Sequence, residues 1–319
     1  MDSAKLDSWE KRFRAQDKRA LARTISWLED QDPRGHQIAG RLTDLNDSAW
    51  VVGITGPPGV GKSSLVEKLA LELLNRDLKV AVLAVDPTSP FTGGAVLGDR
   101  IRMGQTVVHP NAFVRSMGTR GALGGLAQST PSVIRLLSLF GFDIVLVETV
   151  GVGQSEVEIV KAADTSVVIE APGMGDSVQA IKAGVLEIAD LFVVNKADRP
   201  GANRAALEIE TMLHLAPESQ DRTPPVVMVS VVKKTGLEEF YKALFDHKKY
   251  LDEKGRLDDR RKLRRESHLF AQVQGNLRKK IEAFFTEGAG KKDFESVLEG
   301  NLAPEEISKK LNLEIDLIS

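Results

Sequence analysis

The run Gly56-Pro57-Pro58-Gly59-Val60-Gly61-Lys62-Ser63 has the spacing G-x-x-x-x-G-K-[ST], a set of residue types suited to gripping the phosphates of a nucleoside triphosphate. Glycines let backbone N–H groups close on phosphate oxygens, and a helix opening at the lysine adds unpaired N–H groups and the positive end of its dipole. Lys62 would reach the β and γ phosphates and the Ser63 hydroxyl would bind Mg²⁺. Gly56, Gly59, Val60, Gly61, Lys62, Ser63 and Ser64 therefore form the expected phosphate-binding set. A second element, Asp143 to Gly151, ends an apolar run in Glu148-x-x-Gly151, where D-x-x-G is the usual form. A carboxylate at the tip of a buried strand suits a water-mediated Mg²⁺ ligand, and the Gly151 N–H can meet the γ-phosphate.

A third element selects the base. Leu191-Phe192-Val193-Val194 runs into Asn195-Lys196-Ala197-Asp198, the pattern N-K-x-D. Asp198 can accept from N1–H and the exocyclic amine of guanine; adenine offers neither donor and would leave a carboxylate unpaired, a difference that can reject the wrong base on the order of 10⁴-fold. Asn195 would brace the loop and Lys196 would lie along the ring plane. Ser230 and Val231, ahead of Lys234-Thr235-Gly236, resemble a final base-contacting loop. Order and spacing together predict GTP and GDP rather than ATP. Asp86, ahead of Pro87-Thr88-Ser89-Pro90, and Asp99, within Gly98-Asp99-Arg100-Ile101-Arg102-Met103, fall in linking loops that could sense Mg²⁺ and the γ-phosphate.

These loops need a frame. From Trp50 onward apolar strand candidates alternate with helical patterns: Val51–Thr55, Val80–Val85, Ile144–Val147, Thr165–Glu170, Leu191–Asn195 and Val226–Ser230. Nearly continuous apolar strands imply an α/β fold with a mostly parallel sheet covered by helices on both faces, and function at the C-terminal strand ends. Residues 1–45 read as N-terminal helices, with Leu21, Ile25 and Leu28 on one face. Residues 46–248 read as the nucleotide domain and 249–319 as a C-terminal helical arm. In that arm, Leu269, Val273, Leu277, Ile281 and Phe284 recur at helical spacing. The charged run KGRLDDRRKLRR mixes both signs and reads as a solvated helix face.

Composition narrows the partners. Across 319 residues, 43 basic and 45 acidic side chains leave a net charge of -2, which gives no electrostatic case for nucleic acid or an anionic membrane. With no cysteine, disulfides, thiolate metal sites and iron–sulfur clusters are excluded. The five histidines are scattered without metal-ligand spacing. The charged N-terminus lacks an apolar targeting core, and no stretch of eighteen apolar residues follows; a soluble, cytoplasmic protein is expected.

Five stretches taken together resemble the MeaB/ArgK GTPases, P-loop NTPases that chaperone adenosylcobalamin-dependent methylmalonyl-CoA mutase. They are Ile54 to Ser63, Val85 to Pro90, Gly98 to Met103, Val147 to Glu156, and Gly175-Asp176 through Asp198. Similarity of this kind covers most of residues 18 to 240. The resemblance implies a GTP hydrolase, usually dimeric through a C-terminal helical arm. It places Lys62 and Ser63 at phosphate and Mg²⁺, Asp86, Asp99 and Glu148 around the metal and switches, and Asn195, Lys196 and Asp198 at guanine. It also makes Asp176 to Lys182 a third switch answering to the mutase, or to a related acyl-CoA mutase. Asp176 and Lys182 are both present, while Ser177 stands where the family often has an acidic residue. No glutamine follows Gly151: Val152 does, and Gln154 comes later. Intrinsic turnover should then be slow until a partner completes the site. Three other readings stay open: a nickel-insertion GTPase, which would need Cys/His ligands; a kinase passing the γ-phosphate to a protein or metabolite; and a scaffold with a structural nucleotide.

Overall fold

The computed structural model describes residues 3–86, 103–118, 129–149, 162–173, 189–215 and 222–307. Three N-terminal helices, α1 (Ser3–Arg14), α2 (Lys18–Glu29) and α3 (Pro33–Arg41), lead into β1 (Trp50–Thr55) and α4 (Lys62–Asn75). Then follow β2 (Val80–Asp86), the short α5 (Gly104–Val108), β3 (Ala112–Gly118), α6 (Thr130–Leu139), β4 (Ile144–Thr149), β5 (Thr165–Glu170) and β6 (Leu191–Asn195). The remaining elements are α7 (Ala202–Leu215), β7 (Val226–Val229), α8 (Leu237–Glu253), α9 (Arg256–Thr286) and α10 (Lys291–Leu298). No helix among the described residues is long and apolar enough to cross a membrane.

Seven strands form one sheet in the order β3-β2-β4-β1-β5-β6-β7, and every pair is parallel. The alternation of side chains along each strand divides the core. Val51, Leu83, Val145 and Val147 face a layer built by α1, α2, α3 and α6. Val52, Ile54, Val82, Leu146, Val167 and Val193 face α4 and α8. Val168, Phe192 and Val194 pack under α7, opposite the α4 side. Buried on both faces, β1, β2, β4, β5 and β6 carry the apolar runs that made them recognisable, and β7, half-buried at one edge, is apolar along its length too.

The seventh, β3, was not among the expected strands. It is an edge strand whose middle is half-buried, so Arg115 and Ser116 interrupt the apolar signal. Arg115 hydrogen-bonds Glu29 and, at 3.1 Å, the Ser26 hydroxyl, fastening α2 to the sheet edge. The N-terminal helices thus share a continuous core with β1, β2 and β4. Two compact units are present, residues 1–267 and 268–319; the expected boundary after residue 248 falls inside α8.

The charged run also differs from expectation, because three of its arginines reach inward from the first turns of α9. Arg260 Nη1 donates to the Asp164 carbonyl at 2.7 Å and to Asp190 Oδ2 at 2.6 Å, while Nη2 meets Asp190 Oδ1 at 2.7 Å. Arg264, buried, donates to Asp164 Oδ2 at 2.8 Å, and Arg261 Nη2 to the Ser48 carbonyl at 2.6 Å. Apart from these arginines and the buried Leu257, the run is a solvated face. His247, on α8, joins the same cluster. Trp50 Nε1–H donates to Thr165 Oγ1 at 2.9 Å, leaving the Thr165 hydroxyl proton for His247 Nδ1 at 3.0 Å and the ring Nε2–H for Asp190 at 3.3 Å.

Burial pushes the Asp190 carboxyl up, but hydrogen bonds from His247 and Arg260 outweigh it and bring its pKa down from 3.8 to about 2. A depressed carboxyl stabilises the fold above its unfolded value and loses that contribution as pH falls through the folded one. Asp190→Asn should cost about 3 kcal/mol near neutrality, the lower end for breaking a buried pair because Arg260 keeps some solvent. In chemical denaturation, the gap between wild type and variant should narrow as pH drops from about 4 toward 2. A gap independent of pH in that window would contradict the pairing.

Candidate nucleotide site

The site lies at the C-terminal edge of the sheet, where β1 is flanked by β4 and β5. Register sets Ile54 beside Glu148 on one side and Thr55 beside Val168 on the other. After Thr55 the chain turns through Gly56, with φ +144°, and Gly59, with φ 82°, into α4. Gly61 is the N-cap residue of α4 in the left-handed region, with no side-chain cap. The first N–H groups of that helix are thus left to whatever anion the loop encloses.

Two glycines are required by what surrounds them. A Cβ on Gly56 would sit 2.0 Å from the Ile169 carbonyl oxygen, so β5 packs directly on the loop backbone. On Gly61, at φ +95°, a Cβ would sit 2.5 Å from Asn195 Nδ2. That amide donates to the Val60 carbonyl at 2.8 Å, and Lys196 Nζ donates to the Gly59 carbonyl at 2.5 Å. The N-K-x-D turn is therefore bonded to the phosphate loop itself. Lys196 holds φ 57°, unusual for a residue with a side chain.

The base end is built around Asp198. Ser230 is buried and donates its hydroxyl to Asp198 Oδ1, while the Lys233 N–H donates to Ser230 Oγ at 3.1 Å. Ser230 also pairs with Thr235 through backbone bonds of 3.0 and 3.2 Å, closing the turn ahead of α8. The Ser230 hydrogen bond, offset in part by desolvation, holds the Asp198 carboxyl below the usual range. The exposed carboxylate stays charged and can accept from a base that offers two donors. Val231 follows and packs partly against the α4-side core.

At the phosphate end, Lys62 is buried and donates to the carbonyls of Gly56 at 2.7 Å and Pro57 at 2.9 Å. Its ammonium thus lies inside the turn of the loop. Ser63 Oγ donates to Glu148 Oε1 at 2.6 Å, the distance typical of a hydroxyl on a charged carboxylate. The resemblance implies Mg²⁺, and this pair fits it: two hard oxygen donors, one from a helix start and one from a strand tip, suit a cation that keeps several waters. Asp86 ends β2, one residue past the Val85–Thr149 pair, so its backbone lies one strand away from β4. Asp99, Gly151, Asp176 and Lys182 lie outside the described residues. Among the described residues no group of three His, Cys, Asp or Glu side chains gathers as a metal site.

The structure therefore brings together Gly56, Gly59, Val60, Gly61, Lys62, Ser63, Glu148, Asn195 and Lys196 at one edge, with Asp198 and Ser230 paired beside them. Asn195 was expected to brace the loop. Its observed bond to Val60, 135 residues away, had no local signal.

A family model described as methylmalonyl Co-A mutase-associated GTPase MeaB matches residues 21–285. A protein of Pyrococcus horikoshii named as a GTPase is 46% identical, spanning 88% of this chain and 90% of the relative. The methylmalonic aciduria type A homolog, mitochondrial, of Caenorhabditis elegans is 36% identical over 76% of this chain and 65% of its own length. Among solved structures, the crystal structure of a LAO/AO transport system kinase has a TM-score of 0.72 at 27% identity, covering 99% of both chains. The fold is that of the P-loop NTPases.

Gly61→Ala tests the junction of the two loops. Strain at positive φ and displacement of Asn195 should weaken GDP binding about tenfold or more by calorimetry. Adding Asn195→Ala removes the clash but not the strain, so the double variant should recover only part of the loss. Unchanged affinity in Gly61→Ala would show that the amide contact is dispensable.

Proposed function

This chain is a GTPase of the MeaB family, and we propose that it hydrolyses GTP as a timing signal that gates cofactor loading and protection of an adenosylcobalamin-dependent acyl-CoA mutase, methylmalonyl-CoA mutase. The observation that carries the reading is the bonding of the N-K-x-D turn to the phosphate loop through Asn195 and Lys196. A ligand with guanine at one end and phosphates at the other spans both halves of that construction. The family description and the name of the nematode relative support the mutase as client.

In this mechanism Lys62 exchanges its two loop carbonyls for phosphate oxygens and offsets the charge on the transferring group. The first N–H groups of α4 hold the same phosphates, and Gly151 would meet the γ-phosphate. Ser63 and Glu148 would hold Mg²⁺ with Asp86 and Asp99, and the ion would supply charge neutralisation for the phosphates. Asp198, a carboxylate oriented by the Ser230 hydroxyl, selects guanine. Asp176 and Lys182 belong to the segment that answers to the client.

We further propose a homodimer. Within the C-terminal arm, Leu269, Phe270, Val273 and Leu277 on α9 are each half exposed or more, an apolar stripe of the kind a second copy covers.

Two measurements test the proposal. Asp198→Asn turns an acceptor toward a donor, so preference for GDP over ADP should fall by orders of magnitude, up to the roughly 10⁴-fold that such pairing supplies. Equal loss of both affinities would point to misfolding, not lost selection. Single-turnover hydrolysis of labelled GTP should release free phosphate and accelerate when methylmalonyl-CoA mutase is added, by as much as the ~10³-fold of a partner-completed GTPase. Asp176→Ala should abolish the acceleration while leaving the intrinsic rate. Label appearing on a protein or metabolite would instead favour a kinase.

A further inference from the structure

The strands that shape the nucleotide end also meet at their opposite ends. β1 runs into Gly56, β5 presses its Ile169 carbonyl on Gly56, and β6 ends in Asn195 and Lys196, which hold Val60 and Gly59. At the N-terminal edge, Val51 N–H donates to Asp164 Oδ2 at 2.8 Å, and Ser166 N–H to Asp190 Oδ2 at 2.8 Å. Asp164 immediately precedes β5 and Asp190 immediately precedes β6, and both carboxylates are clasped by Arg264 and Arg260 of α9. Each strand is about 20 Å long, and all three are bonded to neighbours on both sides. They are stiff links between the two edges.

The clasp is not arranged as a contact for stability alone would be. Asp47 Oδ1, Asp164 Oδ1, Arg261 Nε and Arg264 Nη2 are buried with no hydrogen-bond partner among the described residues. Apolar side chains filling the same space would hold α9 at lower cost. Arg264 also has two carboxylates within reach, Asp164 Oδ2 at 2.8 Å and Asp47 Oδ1 at 3.8 Å. Arg260 is divided between a carbonyl and a carboxylate. A partly matched set of charges with alternative partners has more than one arrangement available, which is what a switching element requires.

We propose that this cluster is a coupling joint, in which Arg260 and Arg264 are positioning residues that report the state of the phosphate and base loops to the first turns of α9. The joint rests on the guanine-nucleotide reading of the site and goes beyond it, since it ties that site to a helix bonded to the opposite edge of the sheet.

Hydrogen exchange on the full chain, loaded with Mg²⁺ and either GDP or a non-hydrolysable GTP analogue, reads the joint directly through local opening. Calorimetry on the same samples establishes occupancy. Amides of residues 256–267 should exchange at different rates in the two states of the wild-type protein. In the double variant Arg260→Lys, Arg264→Lys, which keeps charge but loses the paired fork, that difference should be lost while both nucleotides bind as before. Equal exchange of 256–267 in two fully occupied wild-type states would overturn the joint without touching the site, and this result needs no variant to fold. A difference that persists undiminished in the folded double variant would overturn it too. Failure of either nucleotide to bind would overturn the site reading, and the joint with it.

Discussion

The Asn195 side-chain amide on the Val60 carbonyl is the contact on which the rest of the nucleotide end depends. It requires that Gly61 carry no side chain, that β6 end at the height where β1 turns, and that the loop backbone present a carbonyl outward. Each requirement is met by a different level of structure: residue type, strand register and local φ. With the contact made, the surface that reads a base and the surface that grips phosphates keep a fixed separation. Loops joined only through a ligand would have to be ordered by it, at an entropic cost to binding.

Much of this frame is legible in the residues themselves. Fully buried parallel strands leave apolar runs bounded by glycine and charged residues, and β1, β2, β4, β5 and β6 were readable on that basis; β7, the other edge strand, is only half-buried but was readable because Val226 to Val229 are all apolar. The phosphate and base motifs were readable because their chemistry restricts residue types at short spacing. Strand β3 was not, because its half-buried middle carries Arg115 and Ser116, which break the apolar run that the equally edge-placed β7 keeps. The match of the chain to the MeaB family model bears out the resemblance drawn from five separated motifs.

The inward arginines of α9 show where sequence patterning runs out. In a run of alternating charge, Arg260, Arg261 and Arg264 have the same neighbours in composition as Arg265 and Lys262, which point to solvent. What separates them is helical phase relative to Asp164 and Asp190, residues about 70 to 100 positions earlier. No local window contains that information. Those aspartates, too, read locally as ordinary residues ahead of strands, although one of them is fully buried. Long-range charge pairing of this kind is invisible to periodicity, and it governs where the helix after the nucleotide fold is rooted.

Lys62 draws a last consequence. With its ammonium already satisfied by the Gly56 and Pro57 carbonyls, the loop is latched by its own cation. The cation that the motif supplies is thereby also one of the loop's own fastenings. Such a latch ties the shape of the loop to the residue that serves it, so Gly56, Pro57 and Lys62 are one unit of structure as well as of chemistry.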